Sequence, residues 1–219
     1  MDKVWAEVDS YFGDLFVPRD EKLEAALAAN RKAELPAIDV SKLQGKFLEL
    51  LVRITGAKRI LEIGTLGGYS TIWMARALPE GGKIVTLEFN PRHAEVARQN
   101  LHHAGVLERV DLRVGRAIEN LPALEGSEPF DLVFIDADKG SNADYLGWAL
   151  KLGRLGSVIV CDHVVREGAV VEANSDDRDV QGVRRFAAMV AAEPRLSATV
   201  LQTVGAKGYD GFAIAVIVS

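Results

Sequence analysis

From Lys58 onward, short apolar runs alternate with helix-forming stretches, and this rhythm restricts the fold more than any other feature of the chain. The runs cover 59–63, 83–87, 109–114, 131–135 and 157–161. The helices between them read as 69–77, 91–104, 116–121 and 142–152. A strand that is apolar at nearly every position is buried on both faces, as happens when crossover helices link parallel strands. The spacing predicts an α/β fold with a parallel sheet covered on both sides. Beyond Cys161, a polar stretch at 174–179 precedes a helix expected over 180–192. The final expected elements are paired strands at 197–201 and 212–218, with 205–211 as their loop.

The first 57 residues read as helix instead. Segment 20–33 is rich in the helix formers Ala, Leu, Glu and Lys. Ser41 is placed to cap a second helix, whose Leu43, Phe47, Leu50, Leu51 and Ile54 recur at helical spacing until Gly56 stops it. No repeat or flexible linker interrupts the 219 residues, so one domain over 1–219 is expected, with 1–57 as a helical extension. Trp5 in that extension is expected to reach a partner subunit, as in a homodimer. The 26 Lys and Arg against 31 Asp and Glu leave a net charge of −5, which disfavours a nucleic-acid partner. Charges throughout the first residues argue against a signal peptide, and no apolar stretch approaches the ~20 residues that span a bilayer. A cytoplasmic protein is expected. The single cysteine, Cys161, excludes an internal disulfide and any thiolate cluster, so a metal would need oxygen or imidazole ligands.

Two strand ends carry the chemistry. Ile60-Leu61-Glu62-Ile63-Gly64-Thr65-Leu66-Gly67-Gly68-Tyr69-Ser70 is a strand, a tight turn and a helix start. A doubly wound sheet binds ligands beyond such strand ends. The glycines at 64, 67 and 68 depart from the dinucleotide spacing G-x-G-x-x-G, and Glu62 places a carboxylate where a pyrophosphate would suffer. That carboxylate suits a ligand with a positive amine. A structural strand–helix turn would use glycine as well. Glu88 ends the next strand, where an acid accepts hydrogen bonds from ribose hydroxyls. Together these features suggest a nucleoside with a zwitterionic end, the chemistry of S-adenosylmethionine. An NAD-linked oxidoreductase is the competing reading.

Downstream, Phe130-Asp131-Leu132-Val133-Phe134-Ile135-Asp136-Ala137-Asp138-Lys139 closes a strand with two acids and a lysine. Asp136 suits a hard divalent cation such as Mg²⁺ or Mn²⁺. Lys139, with its pKa lowered by burial or by that cation, suits a general base. The next strand ends in Cys161-Asp162-His163, adding an oxygen and an imidazole nitrogen. Trp73 and Trp148 fall in helical patterns and read as packing residues.

From Ala57 to Ser219 these residues resemble the cation-dependent O-methyltransferases, the catechol and caffeoyl-CoA enzymes. The resemblance rests on LEIGTLGGYS, AGVLERVDLRVGRA, FDLVFIDADKGSNADYL, CDHVVREGAV and YDGFAIAV, in that order. Segment 40–45 is similar to the family's stretch over the cofactor. The resemblance implies a Rossmann-like, seven-stranded S-adenosylmethionine-dependent methyltransferase fold with an antiparallel last strand. It implies cofactor contacts at Gly64, Leu66, Ser70, Glu88 and Asp136, with Glu62 and Gly68 in the same turn and Gly115 and Ala117 beside the adenine. It also implies metal ligands Asp136, Asp162 and His163, with Lys139 taking the acceptor's proton. The implied substrate is a small phenol with vicinal hydroxyls. The acceptor pocket would draw on the N-terminal helices, 164–179 and 205–211. The family usually carries Asn where this chain has His163; a nitrogen donor favours Mn²⁺, Fe²⁺ or Zn²⁺ over Mg²⁺, and the departure leaves a metal-independent or non-catalytic relative of the methyltransferases as an alternative reading.

Overall fold

The computed structural model describes residues 2–219. Three helices come first: α1 (Asp2–Phe16), α2 (Glu21–Lys32) and α3 (Lys42–Thr55). Asp20 caps α2 by accepting from the Lys22 and Leu23 amides, and Ser41 Oγ caps α3 by accepting from the Gln44 amide. Gly56, left-handed at φ 63°, ends α3. The alternating part follows as β1 (Arg59–Ile63), α4 (Tyr69–Ala77), β2 (Lys83–Glu88), α5 (Pro91–Ala104), β3 (Val110–Val114), α6 (Ala117–Asn120), β4 (Phe130–Ile135), α7 (Asn142–Leu152) and β5 (Gly153–Asp162). Then come α8 (Arg178–Ala192), β6 (Leu196–Gly205) and β7 (Gly208–Ile217).

Within these residues the strands form one seven-stranded sheet in the order β3-β2-β1-β4-β5-β7-β6. Strands β1 to β5 are parallel, and β7 runs antiparallel between β5 and β6. Alternation along each strand splits the core into two layers. Ile60, Leu132, Phe134 and Val160 pack with α3 and α4 residues such as Leu48, Val52, Ile72 and Met74. Leu61, Val133, Ile135 and Ile159 pack with Leu146, Ala149, Val183 and Phe186 of α7 and α8. Strand order reverses at β1, which pairs with β2 on one side and β4 on the other. The carboxyl ends of those strands open the crevice where such sheets bind ligands.

Several element boundaries differ from the sequence expectation. The expected loop at 205–211 shrinks to Ala206-Lys207, because β6 and β7 stay paired to Gly205↔Gly208. Glycine there reads as turn punctuation, but cross-strand pairing absorbs it. The expected helix at 116–121 ends at Asn120, and a 3₁₀ turn over Leu121–Leu124 carries Pro122 at a first-turn position, where its missing N–H costs nothing. Strand β5 starts at Gly153 rather than 157, since Ser157 Oγ bridges an irregular start by accepting from the Arg154 amide and donating to the Phe130 carbonyl. Helix α8 starts two residues early because Asp177 caps it.

Glu62 plays a different part from the one expected. Its side chain is fully buried in β1 and bonds only protein hydroxyls: Ser70 (2.6 Å), Thr71 (2.5 Å) and Thr86 (2.7 Å). It ties the first turn of α4 to β1 and β2. Burial lifts its pKa to about 7, against the pull of those three hydroxyls. Between the ordinary value of 4.5 and about 7, the native chain holds a proton that the unfolded chain has released. Stability must therefore fall as pH rises through that window and level off above it. Glu62→Gln removes this titration. Urea unfolding at about pH 4.5 and 7.5 is expected to show the variant gaining about 3 kcal/mol on the wild type between the two. A difference that does not change with pH would show that Glu62 titrates normally.

Candidate active site

Gly64 leaves β1 at φ 100°, and a Cβ on it would collide with the Asp136 carbonyl at the end of β4. Only glycine lets the two strand ends approach this closely. The Asp136 amide donates to the Ile63 carbonyl at 2.8 Å, and the Gly64 amide donates to the Leu87 carbonyl at 3.0 Å. Leu66 also adopts positive φ, 50°, which is costly for a branched side chain. Glu88 offsets that strain by accepting from the Leu66 (2.8 Å) and Thr65 (3.2 Å) amides. Glu88 thus shapes the glycine turn and keeps lone pairs for a ligand.

These strand ends border a cavity of about 550 Å³, within the range of small-ligand sites. Gly64, Leu66, Ser70, Glu88, Ala117 and Asp136 all line it. Glu62, Gly68 and Gly115 do not line it. The amine-facing carboxylate expected at 62 is replaced on the wall by Asp39, Asp136 and Asp138. Asp39 is held by Asn30 Nδ2 at 2.8 Å, and burial raises its pKa. His93 is a further lining residue that sequence reasoning missed, with Nδ1 3.4 Å from Glu88 Oε1. Its only sequence signal was an imidazole in the first turn of the helix after Glu88.

Asp136, Asp162 and His163 each bring one potential ligand atom within 4.8 Å of the others. His163 Nδ1 lies 3.2 Å from Asp162 and 3.5 Å from Asp136, buried and without an aligned hydrogen bond. Contacts with Asp136 and then Asp162 push the imidazole up to about 10, against burial. Burial would raise Asp136, but Lys139 and His163 hold it at about 2. Two carboxylates facing a buried, unbonded imidazole nitrogen fit a divalent cation. His163 sits at φ 58°, a left-handed conformation that Asn, Asp and His tolerate best, so imidazole can stand where the family has Asn. Gln44 of α3 donates to Asp162 Oδ2 at 2.6 Å, an outer contact that orients the carboxylate. Segment 40–45 hinted at it, but the partner lies 118 residues away.

Lys139 is buried, with Nζ 2.8 Å from Asp136 Oδ1. Burial pushes its pKa down, but Asp136 outweighs burial and leaves it raised. The expected lowering is therefore not met while Asp136 is its partner. Asp138 clamps this turn by accepting from Tyr145 (2.6 Å) and Ser141 (2.5 Å) hydroxyls. Gly182 of α8 lies against the Lys139 carbonyl, with no room for a Cβ. Trp73 is buried against Tyr69, edge to face. Trp148 lies under the Lys151 ammonium. Neither lines the cavity at Gly64 and Glu88 or the one at Asp162. Cys161 is a buried free thiol whose pKa burial raises.

A parallel sheet ending in an antiparallel hairpin, a glycine turn at the β1 edge and an acid on β2 define an S-adenosylmethionine-dependent methyltransferase. The O-methyltransferase family profile matches residues 17–214. A catechol O-methyltransferase of Niastella koreensis is 51% identical over 98% of this chain and 98% of its own. An O-methyltransferase from Bacillus cereus, solved with S-adenosylhomocysteine, superposes with a TM-score of 0.98 at 56% identity, covering 99% of this chain and 100% of its own. TomG of Streptomyces achromogenes, involved in tomaymycin synthesis and solved with S-adenosylmethionine, gives 0.97 at 50% identity over 100% and 99%. The chain belongs to the cation-dependent S-adenosylmethionine O-methyltransferase family. It is an S-adenosylmethionine-dependent O-methyltransferase, which sets aside the oxidoreductase reading.

Gly64→Ala places a methyl group against the Asp136 carbonyl in a conformation disfavoured for alanine. Its affinity for S-adenosylhomocysteine, measured by calorimetry, is expected to fall at least about 10-fold. Unchanged affinity would show that the strand ends can part without cost.

Proposed function

We propose that this enzyme methylates one hydroxyl of an aromatic vicinal diol with the help of a divalent cation. The observation that carries this reading is the Asp136–Asp162–His163 cluster standing between two cavities. Asp136 lines the one with Gly64 and Glu88, while Asp162 and His163 line a second of about 420 Å³. Donor in the first and acceptor in the second would meet at the cluster. The Niastella koreensis relative's name supports a catechol-like acceptor.

When bound by Asp136, Asp162 and His163, a divalent cation supplies Lewis-acid electrostatics that make a nearby hydroxyl more acidic. Lys139 is the proton acceptor. Once Asp136 is engaged elsewhere, the charge that raises Lys139 is neutralised and burial lowers its pKa. The amine then gives up its proton more readily, at a position fixed by the Asp138 clamp and the α8 contact. Gln44 keeps Asp162 oriented, and Gly64 and Glu88 hold the cofactor turn. No covalent enzyme intermediate is needed, in keeping with an inert Cys161. Positioning supplies much of the acceleration.

The working form we propose is a cytoplasmic homodimer. Among the described residues no helix is long and apolar enough to cross a membrane. Yet α1 turns Val4, Val8, Tyr11, Phe12, Leu15 and Phe16 to solvent, an apolar stripe that a second copy would cover. Trp5 is half-buried beside it.

Lys139→Ala is expected to lower kcat about 10²–10⁴-fold with catechol while retaining S-adenosylhomocysteine affinity. Asp136→Ala is expected to lose activity as well. Full activity in both variants would end this reading. Chelation should abolish turnover, and Mn²⁺ should restore it better than Mg²⁺ because of the His163 nitrogen. Turnover indifferent to chelator would remove the cation from the mechanism.

A further inference from the structure

The cavity beyond Asp162 and His163 has a polar wall, unlike the apolar slot that a plain aromatic diol would favour. Gln44, Arg166, Lys207 and Tyr209 contribute to it. The acids around this cavity already have partners or face solvent. Asp162 is engaged by Gln44 and His163. Asp210 Oδ1 accepts from the amides of Val165 (2.9 Å), Arg166 (3.0 Å) and Gly211 (2.9 Å). Asp177 caps α8, and Glu167 is exposed to solvent.

Arg166 is the group left over. Among the described residues its buried Nε has no hydrogen-bond partner. Among those residues its guanidinium otherwise reaches only Asp179, at 3.5 Å. A buried donor without an acceptor is costly and calls for an explanation. The backbone adds to the cost, since Arg166 and Glu167 both sit at φ 55°. The Asp210 carboxylate holds that strained turn in place. Backbone strain of this kind gathers where a ligand is gripped. Lys207, at the tip of the β6–β7 hairpin, brings a second cation to the same cavity. Its Nζ is anchored to the Ala37 carbonyl at 3.2 Å and keeps two further N–H donors.

We infer that the methyl acceptor carries a carboxylate, which the Arg166 guanidinium binds with Lys207 alongside. The substrate class is then an aromatic vicinal diol with an acidic substituent, not a neutral or cationic catechol. This inference rests on the diol reading above and narrows it. A guanidinium matches a carboxylate with charge-assisted hydrogen bonds, and an ester or amide in the same place loses that match. Arg166 lies outside the Gly64–Glu88 cavity, so its part is in acceptor choice and not in cofactor binding.

The test pairs acids with their methyl esters: 3,4-dihydroxybenzoate, 3,4-dihydroxyphenylacetate and 3-(3,4-dihydroxyphenyl)propanoate, with unsubstituted catechol as reference. The wild type is expected to favour the acid over its ester at least about 10-fold in kcat/KM for one or more pairs, mainly through KM. Arg166→Gln should bring that ratio close to one, and Arg166→Lys should restore part of it. Retained S-adenosylhomocysteine affinity and a cooperative melt certify that the Gln variant is folded. Equal use of acids and esters by the wild type overturns the inference while the diol reading stands. A preference that survives in Arg166→Gln also overturns it, because the acid would then be recognised elsewhere. If no diol is methylated, catechol included, the diol reading falls and this inference falls with it.

Discussion

The backbone contact between Gly64 and Asp136 governs the rest of the site. Strands β1 and β4 end side by side, and the missing Cβ at 64 lets the Asp136 carbonyl sit against the glycine turn. One strand end delivers the cofactor turn and the other delivers the Asp136-to-Lys139 segment. Any side chain at 64 would drive the two apart. The parallel sheet makes this juxtaposition possible, because it gathers the carboxyl ends of its strands on one edge.

Charge placement follows from that edge. Asp136, Lys139, Asp162 and His163 are mostly buried, and each is held by another member of the group. An isolated charge at such depth would be expelled or neutralised. Here Lys139 and Asp136 stabilise one another's charged forms, and the imidazole completes the cluster. The state of Lys139 is therefore set by what occupies Asp136. Glu62 shows the contrasting case: on the neighbouring strand β1, with hydroxyls instead of cations around it, a buried carboxyl is pushed toward its neutral form.

Much of the frame was legible from local pattern. Apolar runs marked the buried strands, and Ser41, Gly56 and Pro91 marked helix ends that the structure keeps. Local signals failed where pairing across the sheet decided the outcome, as at Gly205 and Gly208, whose strands continue through apparent loop residues. In the site, Asp136, Lys139, Asp162 and His163 announced themselves by lying at strand ends. His93 did not, and Gln44 and Arg166 entered only as members of segments 40–45 and 164–179. Gln44 meets Asp162 across 118 residues of chain, so segment 40–45 drew attention to the region without naming its partner. Arg166 lay within segment 164–179, expected at the acceptor pocket, and only the Asp210 clamp singled it out in the cavity wall.

The sequence by itself determined which segments would be strands, roughly where the parallel strands would end, and which acids, lysine and imidazole would stand at those ends. It could do so because side-chain period, capping and strand polarity are properties of a few consecutive residues. The tertiary structure alone decided that Glu62 faces hydroxyls and not a ligand, that Lys139 is held charged by Asp136, and that Asp136, Asp162 and His163 meet between two cavities. Those outcomes depend on which groups from distant segments share the same few ångströms, since burial and neighbouring charge set a titratable group's state whatever its place in the chain.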